Sequence, residues 1–403
     1  MIKSQRWGAI LSLMVIVMIA YVDRVNIAVL VVDPGFLAHF GLQGDRASQG
    51  ALMTVFLVGY GLAALLLTPF YEARLGYRRG LLLSLFIWAL LTAVAPLMGS
   101  LFALLVIRAL LGASEGPLFS LKTMVVHDHF AAAERGKPNA VSSMGVSLGL
   151  AVGFPLISTV VHSLGWAASF PLLAVLNLLL GVPLVWLYIK APPPAASARP
   201  AAGPLLRQAL RMKHLGAILL IEIFTLAYLW GSSSWLPAYL VSDKGFSLKA
   251  MGWISGLPFI VSLLANFAGG ALADRLPPRL TCLVFVAGGL GCATSVLLLI
   301  GSQGTASTLT FLLCASLCWG LQGASIPTLV QRHALPGSVG SAYGLINGVG
   351  NMLAAFMPAA MGGLMQHTVS AGFALLIVSQ VCVAVCGGWM VFVSGRVPVG
   401  GRS

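Results

Sequence analysis

Four charged residues stand inside stretches of sequence that are otherwise apolar enough to cross a membrane. Arg108 and Glu115 lie seven residues apart in one stretch, and Asp23 and Arg24 lie together near the end of the first one. Seven residues are two turns of a helix, so Arg108 and Glu115 should share a face, about 10 Å apart along the axis. Ionisable groups at membrane depth are costly unless they face a partner or a water-filled cavity. The four residues therefore predict a polar site inside a helix bundle.

The two arginines are suited to binding a carboxylate. A guanidinium group stays ionised and offers a planar fork that matches the two carboxylate oxygens. Counted from the predicted ends of their helices, Arg24 and Arg108 fall at similar levels in the outer half of the membrane. The alternative for Arg24 is a local pair with Asp23 or with Asp33 near the interface.

The carboxyl groups of Glu115 and Asp23 are suited to proton transfer. Glu115 falls near the middle of the bilayer, where removal from water favours the neutral, protonated form of a carboxyl group. A proton carrier needs a group of this kind. The alternative is a structural ion pair of Glu115 with Arg108 or with another helix. Glu222 is a third buried acid, nearer the cytoplasmic side. It has three alternative roles: a gate, a contact between helices, or a part in proton coupling.

Composition identifies the class of protein. The chain has 403 residues, 59% of them hydrophobic and 8% charged, whereas a soluble domain is about 25% charged. Apolar runs of about 20 residues, divided by turn residues, predict an all-α polytopic membrane protein with twelve transmembrane helices. We expect two pseudo-symmetric six-helix halves, residues 1–190 and 214–403, joined by a Pro/Ala-rich cytoplasmic linker at 191–213.

The basic residues predict the orientation in the membrane. Most of the 23 Lys and Arg residues, Lys122 among them, fall on the side of the two termini, and only Arg46, Lys244 and Lys249 on the other. By the positive-inside rule both termini are cytoplasmic. The net charge of +13 is therefore a topology signal and does not indicate a nucleic-acid partner. The chain lacks an N-glycosylation sequon, which fits a bacterial inner membrane.

Two cytoplasmic loops repeat one pattern. Glu72 and Arg74 follow the second apolar run, and Gly270, Asp274 and Arg275 end the eighth run in the matching position. An acid at a helix end followed by basic residues in a tight turn can cap the next helix and pin its neighbours. We therefore expect a gating role for these residues, and the two copies in register indicate a duplicated six-helix unit.

The chain resembles the major facilitator superfamily of secondary transporters. The second loop is similar to that superfamily's loop motif, and the first departs from it, with Pro69 for the leading Gly and Ala73 for the Asp. Within the superfamily, Tyr21-Val-Asp-Arg-Val-Asn-Ile and Arg108-Ala-Leu-Leu-Gly-Ala-Ser-Glu-Gly-Pro117 resemble the anion:cation symporter family. That family includes sugar-acid, phthalate and sialin-like carriers, and the resemblance covers essentially the whole chain.

The resemblance implies proton-coupled import of a small organic anion by alternating access, with Asp23 and Glu115 as proton-coupling residues. We expect a monomer without a metal or cofactor, driven by the proton gradient and not by ATP, since no phosphate-binding loop occurs. An enzyme is not expected, because no nucleophile–base or metal constellation is evident. The alternatives are a proton-antiport exporter of an amphiphilic compound and, from another class, a membrane receptor without transport.

Polar and aromatic residues of other apolar runs complete the predicted substrate site. Trp235 has membrane-interface packing as its alternative. Asn347 and Asn351, four residues apart, either join helices or bind substrate hydroxyl groups. The predicted lining consists of Tyr60, Tyr228, Trp235, Gln322, Asn347 and Asn351.

Overall fold

The computed structural model describes most of the chain. In the described residues the secondary structure is helical, without a strand. The described residues are 3–71, 75–130, 136–190, 207–275, 282–323, 325–333, 339–366 and 368–395.

Twelve helices in these residues are long and apolar enough to cross a membrane. Their number and type confirm the fold class predicted from the apolar runs. They are numbered α1 to α12 in chain order: Gln5–Leu30, Arg46–Ala64, Gly76–Leu97, Leu101–Val126, Val141–Leu164, Trp166–Tyr188, Leu215–Ser242, Leu248–Asn266, Leu283–Gly301, Thr305–Gly323, Ala342–Leu364 and Val369–Val393.

Helix α4 consists of two helical segments. It begins after Ser100, whose hydroxyl oxygen accepts the backbone N–H of Ala103 at 3.2 Å and so caps the helix. The first segment ends at Glu115, and the second begins at Leu118. The interruption falls at Pro117, which has no N–H to continue the helical hydrogen bonds. Glu115 is consequently the last residue of the first segment.

A short helix, Pro34–Phe40, follows α1. The Asp33 carboxylate accepts the backbone N–H of Phe36 at 2.8 Å, so this acid is a helix cap. The helix ends at Gly41 in the left-handed conformation, with φ of 65°, which glycine adopts without a steric penalty. The role of Asp33 is therefore local.

The chain forms two compact units by contact. The first comprises Met1–Pro200, Ser233–Leu257 and Ala355–Val369, and the second comprises Ala201–Ser232, Pro258–Ala354 and Ser370–Ser403. This grouping differs from the predicted halves, because parts of α7, α8 and α11 cluster with the N-terminal helices. The predicted linker lies largely outside the described residues, so the domain boundaries stay a prediction.

Two helix pairs build the centre of the first unit: α1 packs along α5, and α2 packs along α4. The approach of α2 to α4 requires glycine, since a Cβ at Gly112 would collide with the backbone of Phe56. Small residues of this kind let membrane helices come into close contact. The packing brings the charged residues of α1 and α4 and the aromatic residues of α2 to one place.

Candidate functional site

A buried ion pair joins Arg24 of α1 to Glu115 of α4. Nε and Nη2 of Arg24 both donate to Oε2 of Glu115, at 3.1 and 2.9 Å. The side chains are 5% and 0% exposed. The other carboxylate oxygen, Oε1, is buried and has no hydrogen-bond partner in the part of the chain that the structure describes. One oxygen therefore accepts both bonds while the second remains unsatisfied.

This pair is the interhelical alternative that the sequence left open for Glu115. Glu115 pairs with Arg24 of α1 and not along its own helix with Arg108. The Asp23 carboxylate accepts the indole N–H of Trp88 at 3.2 Å. Asp33 caps a short helix, as described above. The local pairs considered for Arg24 are thus absent among the described residues.

Arg108 is equally buried but has only weak acceptors. Its Nε donates to the Leu52 carbonyl at 3.4 Å, and its Nη2 lies 3.9 Å from the Met53 sulfur. No carboxylate of the described residues is within ion-pair distance of it. A guanidinium group has five N–H donors, so Arg108 retains donors for an anion.

The two arginines have one aromatic neighbour in common. The guanidinium carbons of Arg108 and Arg24 lie 4.5 and 5.3 Å from the centroid of the Phe56 ring. Arg24 also lies over the rings of Tyr21 and Tyr60, at 4.4 and 4.9 Å. Desolvated contacts of this type contribute about 2 kcal/mol each. The structure thus brings together both arginines of the predicted clamp, with Tyr60 beside them.

Neither Tyr21, which was quoted only as part of a family motif, nor Phe56 was predicted as a site residue. A signal was available, since Tyr21 precedes Arg24 by three residues and Phe56 precedes Tyr60 by four. Both spacings place side chains on one helix face.

In the second unit, Asn347 and Asn351 of α11 form a hydrogen-bond chain with two residues of α7. The Trp230 indole donates to Asn351 Oδ1 at 2.9 Å, Asn351 Nδ2 donates to Asn347 Oδ1 at 3.3 Å, and Asn347 Nδ2 donates to Glu222 Oε1 at 3.1 Å. An indole N–H can only donate, so Asn351 must accept with its amide oxygen and donate with its amide nitrogen, and Asn347 is oriented in the same way. Glu222 is therefore the final acceptor of this hydrogen-bond chain. This chain joins α7 to α11; contact of either asparagine with substrate stays a prediction.

Two other predicted lining residues have partners within the second unit. The Tyr228 ring stacks on Trp319, with centroids 6.0 Å apart. Gln322 donates from Nε2 to Oε1 of Gln380 at 3.0 Å. Their contact with substrate also stays a prediction.

Trp235 belongs to the first unit and is 1% exposed. Its indole N–H donates to the Pro358 carbonyl at 2.8 Å, which uses its single donor. Helix packing is thus the role visible for Trp235, and contact with substrate stays a prediction.

The loop-motif residues lie at the limits of the described structure. Glu72 and Arg74 are outside the described residues. The helix Leu248–Arg275 contains Gly270, Asp274 and Arg275 at its C-terminal end. Only the backbone of these three residues is described. The predicted gating role of all five stays a prediction.

Lys122 was counted on the cytoplasmic side from its place near the end of the fourth apolar run. It lies within α4 and is 4% exposed. Its side of the membrane stays a prediction.

No group of three or more His, Cys, Asp or Glu side chains is placed to hold a metal ion in the residues that were described. The lack of a metal and of a cofactor stays an expectation.

The fold and the buried charged site define a polytopic membrane transporter. The Major Facilitator Superfamily matches residues 13–359, and the chain belongs to that family. It is accordingly a transporter and not an enzyme, in agreement with the expectation from the sequence.

The chain is similar to named transporters along most of its length. It is 25% identical to the probable L-galactonate transporter of Escherichia coli (strain K12), over 96% of this chain and 88% of the relative. It is also 25% identical to the hexuronate transporter of Bacillus subtilis (strain 168), over 95% and 93% of the two chains. Among solved structures, an inward-facing, unoccupied bacterial homologue of the human lysosomal transporter Spinster has a TM-score of 0.79 at 17% identity, covering 99% and 100% of the chains. This last likeness supports the fold alone.

Proposed function

We propose that the protein imports a small organic anion, such as a sugar acid, together with protons by alternating access. One observation supports this most directly: Glu115 accepts both bonds from Arg24 through a single carboxylate oxygen, whereas no acid of the described residues is bonded to Arg108. A substrate carboxylate and the Glu115 carboxylate would compete for the same guanidinium group.

Protonation of Glu115 resolves this competition. A neutral carboxylic acid is a weaker acceptor for a cation than a carboxylate, so proton uptake releases Arg24 to the anion. Arg108 then supplies the second guanidinium fork, and Tyr60 lines the site beside Arg24. Asp23, bonded to Trp88, is the second proton-coupling residue. Loss of the protons on the inner side would restore the ion pair and expel the anion.

The relatives support the proposed substrate class. Their names specify a galactonate and hexuronates, which are sugar acids with one carboxylate. We propose that the protein works as a monomer in a bacterial inner membrane with both termini in the cytoplasm, and that the proton gradient supplies the energy without ATP or a cofactor.

Uptake into proteoliposomes tests the proposal. The purified protein is reconstituted, the outside is made acidic, and labelled L-galactonate and galacturonate are supplied. We expect accumulation of chemically unchanged substrate, abolished by a protonophore, while counterflow without a pH gradient persists. Accumulation that is insensitive to the protonophore would refute proton symport. Binding without flux would indicate a receptor.

A further inference from the structure

A third buried cation of α4 is not used by the proposed cycle. Nζ of Lys122 donates to the hydroxyl of the exposed Ser143 at 2.7 Å and lies 4.9 Å from the centroid of the Phe119 ring. No carboxylate of the described residues is within ion-pair distance of this ammonium group. An ammonium group has three donors, and one neutral acceptor satisfies only one of them. A buried charge without a counter-charge is costly, which raises the question of what compensates it.

Lys122 lies on the same side of α4 as the proposed site. It follows Glu115 by seven residues, as Glu115 follows Arg108, and each such step is about 10 Å along a helix. The turn at Pro117 interrupts the helix, but contacts between aromatic rings still join the segment that carries Lys122 to the site at Arg24. The Phe119 ring beneath Lys122 packs edge-on against Tyr21 at 6.5 Å, and Arg24 lies over Tyr21 at 4.4 Å. Two aromatic rings thus connect the ammonium group to the Arg24 guanidinium group.

The charges of the first unit do not balance. Its described buried charged side chains are three cations and two acids, Arg24, Arg108, Lys122, Asp23 and Glu115. One positive charge is in excess even when both acids are ionised. Protonation of the acids in the proposed cycle increases this excess, which a doubly charged anion neutralises better than a singly charged one.

We propose that Lys122 binds the second anionic group of a substrate whose first carboxylate is held by Arg24 and Arg108. The site then prefers organic anions with a carboxylate or sulfonate at each end of the molecule over monocarboxylates. The step that matters here is the one from Glu115, to which Arg24 bonds, to Lys122, about 10 Å along a helix. A six-carbon diacid with a hydrogen bond at each end suits that separation. Lysine is appropriate at the second position because an ammonium group is a point charge without a fixed fork geometry. This inference rests on the proposed function.

Two matched sugar acids provide the test. Galactarate and L-galactonate have the same six-carbon skeleton and differ only in whether the far end is a carboxylate or a hydroxymethyl group. Their affinities are measured on the purified wild type and on Lys122→Gln. We expect the wild type to bind galactarate at least tenfold more tightly. The variant should lose at least tenfold in galactarate affinity and less than twofold in galactonate affinity.

Two further variants are the controls. Lys122→Arg keeps the charge and should keep the preference for galactarate. Lys244→Gln makes the same chemical change at a lysine whose Nζ lies 3.7 Å from the Asp243 carboxylate, and it should leave the preference unchanged. Because Lys122 has no carboxylate partner in the described structure, Lys122→Gln should melt no lower than the wild type.

Several outcomes would overturn the inference. Equal losses for both sugar acids in Lys122→Gln, or a wild type that binds galactonate as tightly as galactarate, would exclude a second anion contact. A folded Lys122→Arg beside an unfolded Lys122→Gln would identify a structural cation. Binding of neither sugar acid would refute the inference together with the proposed function, whereas pH-driven uptake of both with an unchanged preference in Lys122→Gln would refute the inference alone.

Discussion

The pair between Arg24 and Glu115 predicts a specific phenotype for Glu115→Gln. Glutamine has nearly the same size, and its carbonyl oxygen can accept both Arg24 donors that now bind Oε2 at 3.1 and 2.9 Å. The negative charge is lost, and the residue can no longer release a proton. We therefore expect the variant to bind the anion and to exchange it across the membrane, but not to accumulate it in response to a pH gradient.

The expected change in anion affinity follows from the two hydrogen bonds that Arg24 donates to Glu115. Hydrogen bonds to charged groups contribute about 1.5–3 kcal/mol and neutral ones about 1 kcal/mol. Arg24 remains charged, so its hydrogen bonds to a glutamine are weaker than those to the glutamate carboxylate but are not lost. We expect Glu115→Gln to weaken the interaction between Arg24 and the side chain at position 115 by about 1–2 kcal/mol. A weaker competitor for Arg24 raises the affinity for the anion by about 5- to 30-fold, since 1.4 kcal/mol is a factor of ten. This gain should be largest at alkaline pH, where the wild-type carboxylate is ionised.

A purely structural pair predicts a different result. Removal of one partner from a buried ion pair destabilises a protein by about 3–5 kcal/mol, so binding and exchange would decline together with the melting temperature. Glu115→Ala should show this larger loss under either interpretation, because it leaves Arg24 without an acceptor on this residue.

Counterflow and pH-driven uptake, measured on one reconstituted preparation, distinguish the two cases. Glu222→Gln is the matched control. It replaces another buried acid, which accepts from the Asn347 amide and not from a cation, and glutamine can retain that bond. Intact pH-driven accumulation in Glu115→Gln would refute the coupling role of Glu115 and transfer it to Asp23.

Three other substitutions test the surrounding structure. Arg108→Lys should lose most anion binding in a titration, because an ammonium group lacks the two-point contact; affinity equal to the wild type would make Arg108 structural. Gly112→Val should lower stability by about 1–3 kcal/mol, since the side chain meets the Phe56 backbone, and an unchanged melting curve would contradict this packing. Trp230→Phe should cost about 1–3 kcal/mol by leaving Asn351 Oδ1 without its donor; full stability would mean that the hydrogen-bond chain is dispensable.

The sequence alone was sufficient for the class of protein and for its twelve helices. A span needs about 20 apolar residues because the hydrocarbon core is about 30 Å thick, and this requirement is visible in any window of the chain. The interruption of α4 falls at Pro117, but Pro155, Pro237 and Pro258 lie inside continuous helices, so a proline alone does not determine such a break. The candidate residues Arg24, Arg108 and Glu115 were identifiable because each is conspicuous in an apolar run.

The choice of partners was decided by the tertiary structure. Helical periodicity assigns a residue to a face, but it does not specify which helix that face meets. Arg24 and Glu115 are 91 residues apart, and their contact depends on how α1, α2 and α4 pack around Gly112 and its neighbours.

Burial near a helix end also depends on packing. Lys122 stands close to the end of its apolar run, and the sequence predicted only its side of the membrane. Its surroundings come from other helices, with Tyr21 of α1 next to the Phe119 ring and Ser143 of α5 at its ammonium group. Residues distant in the chain supply these contacts, so no local pattern around Lys122 contains them. The sequence by itself determined which residues are too polar for the membrane, and only the packing of the helices decided what each of them contacts.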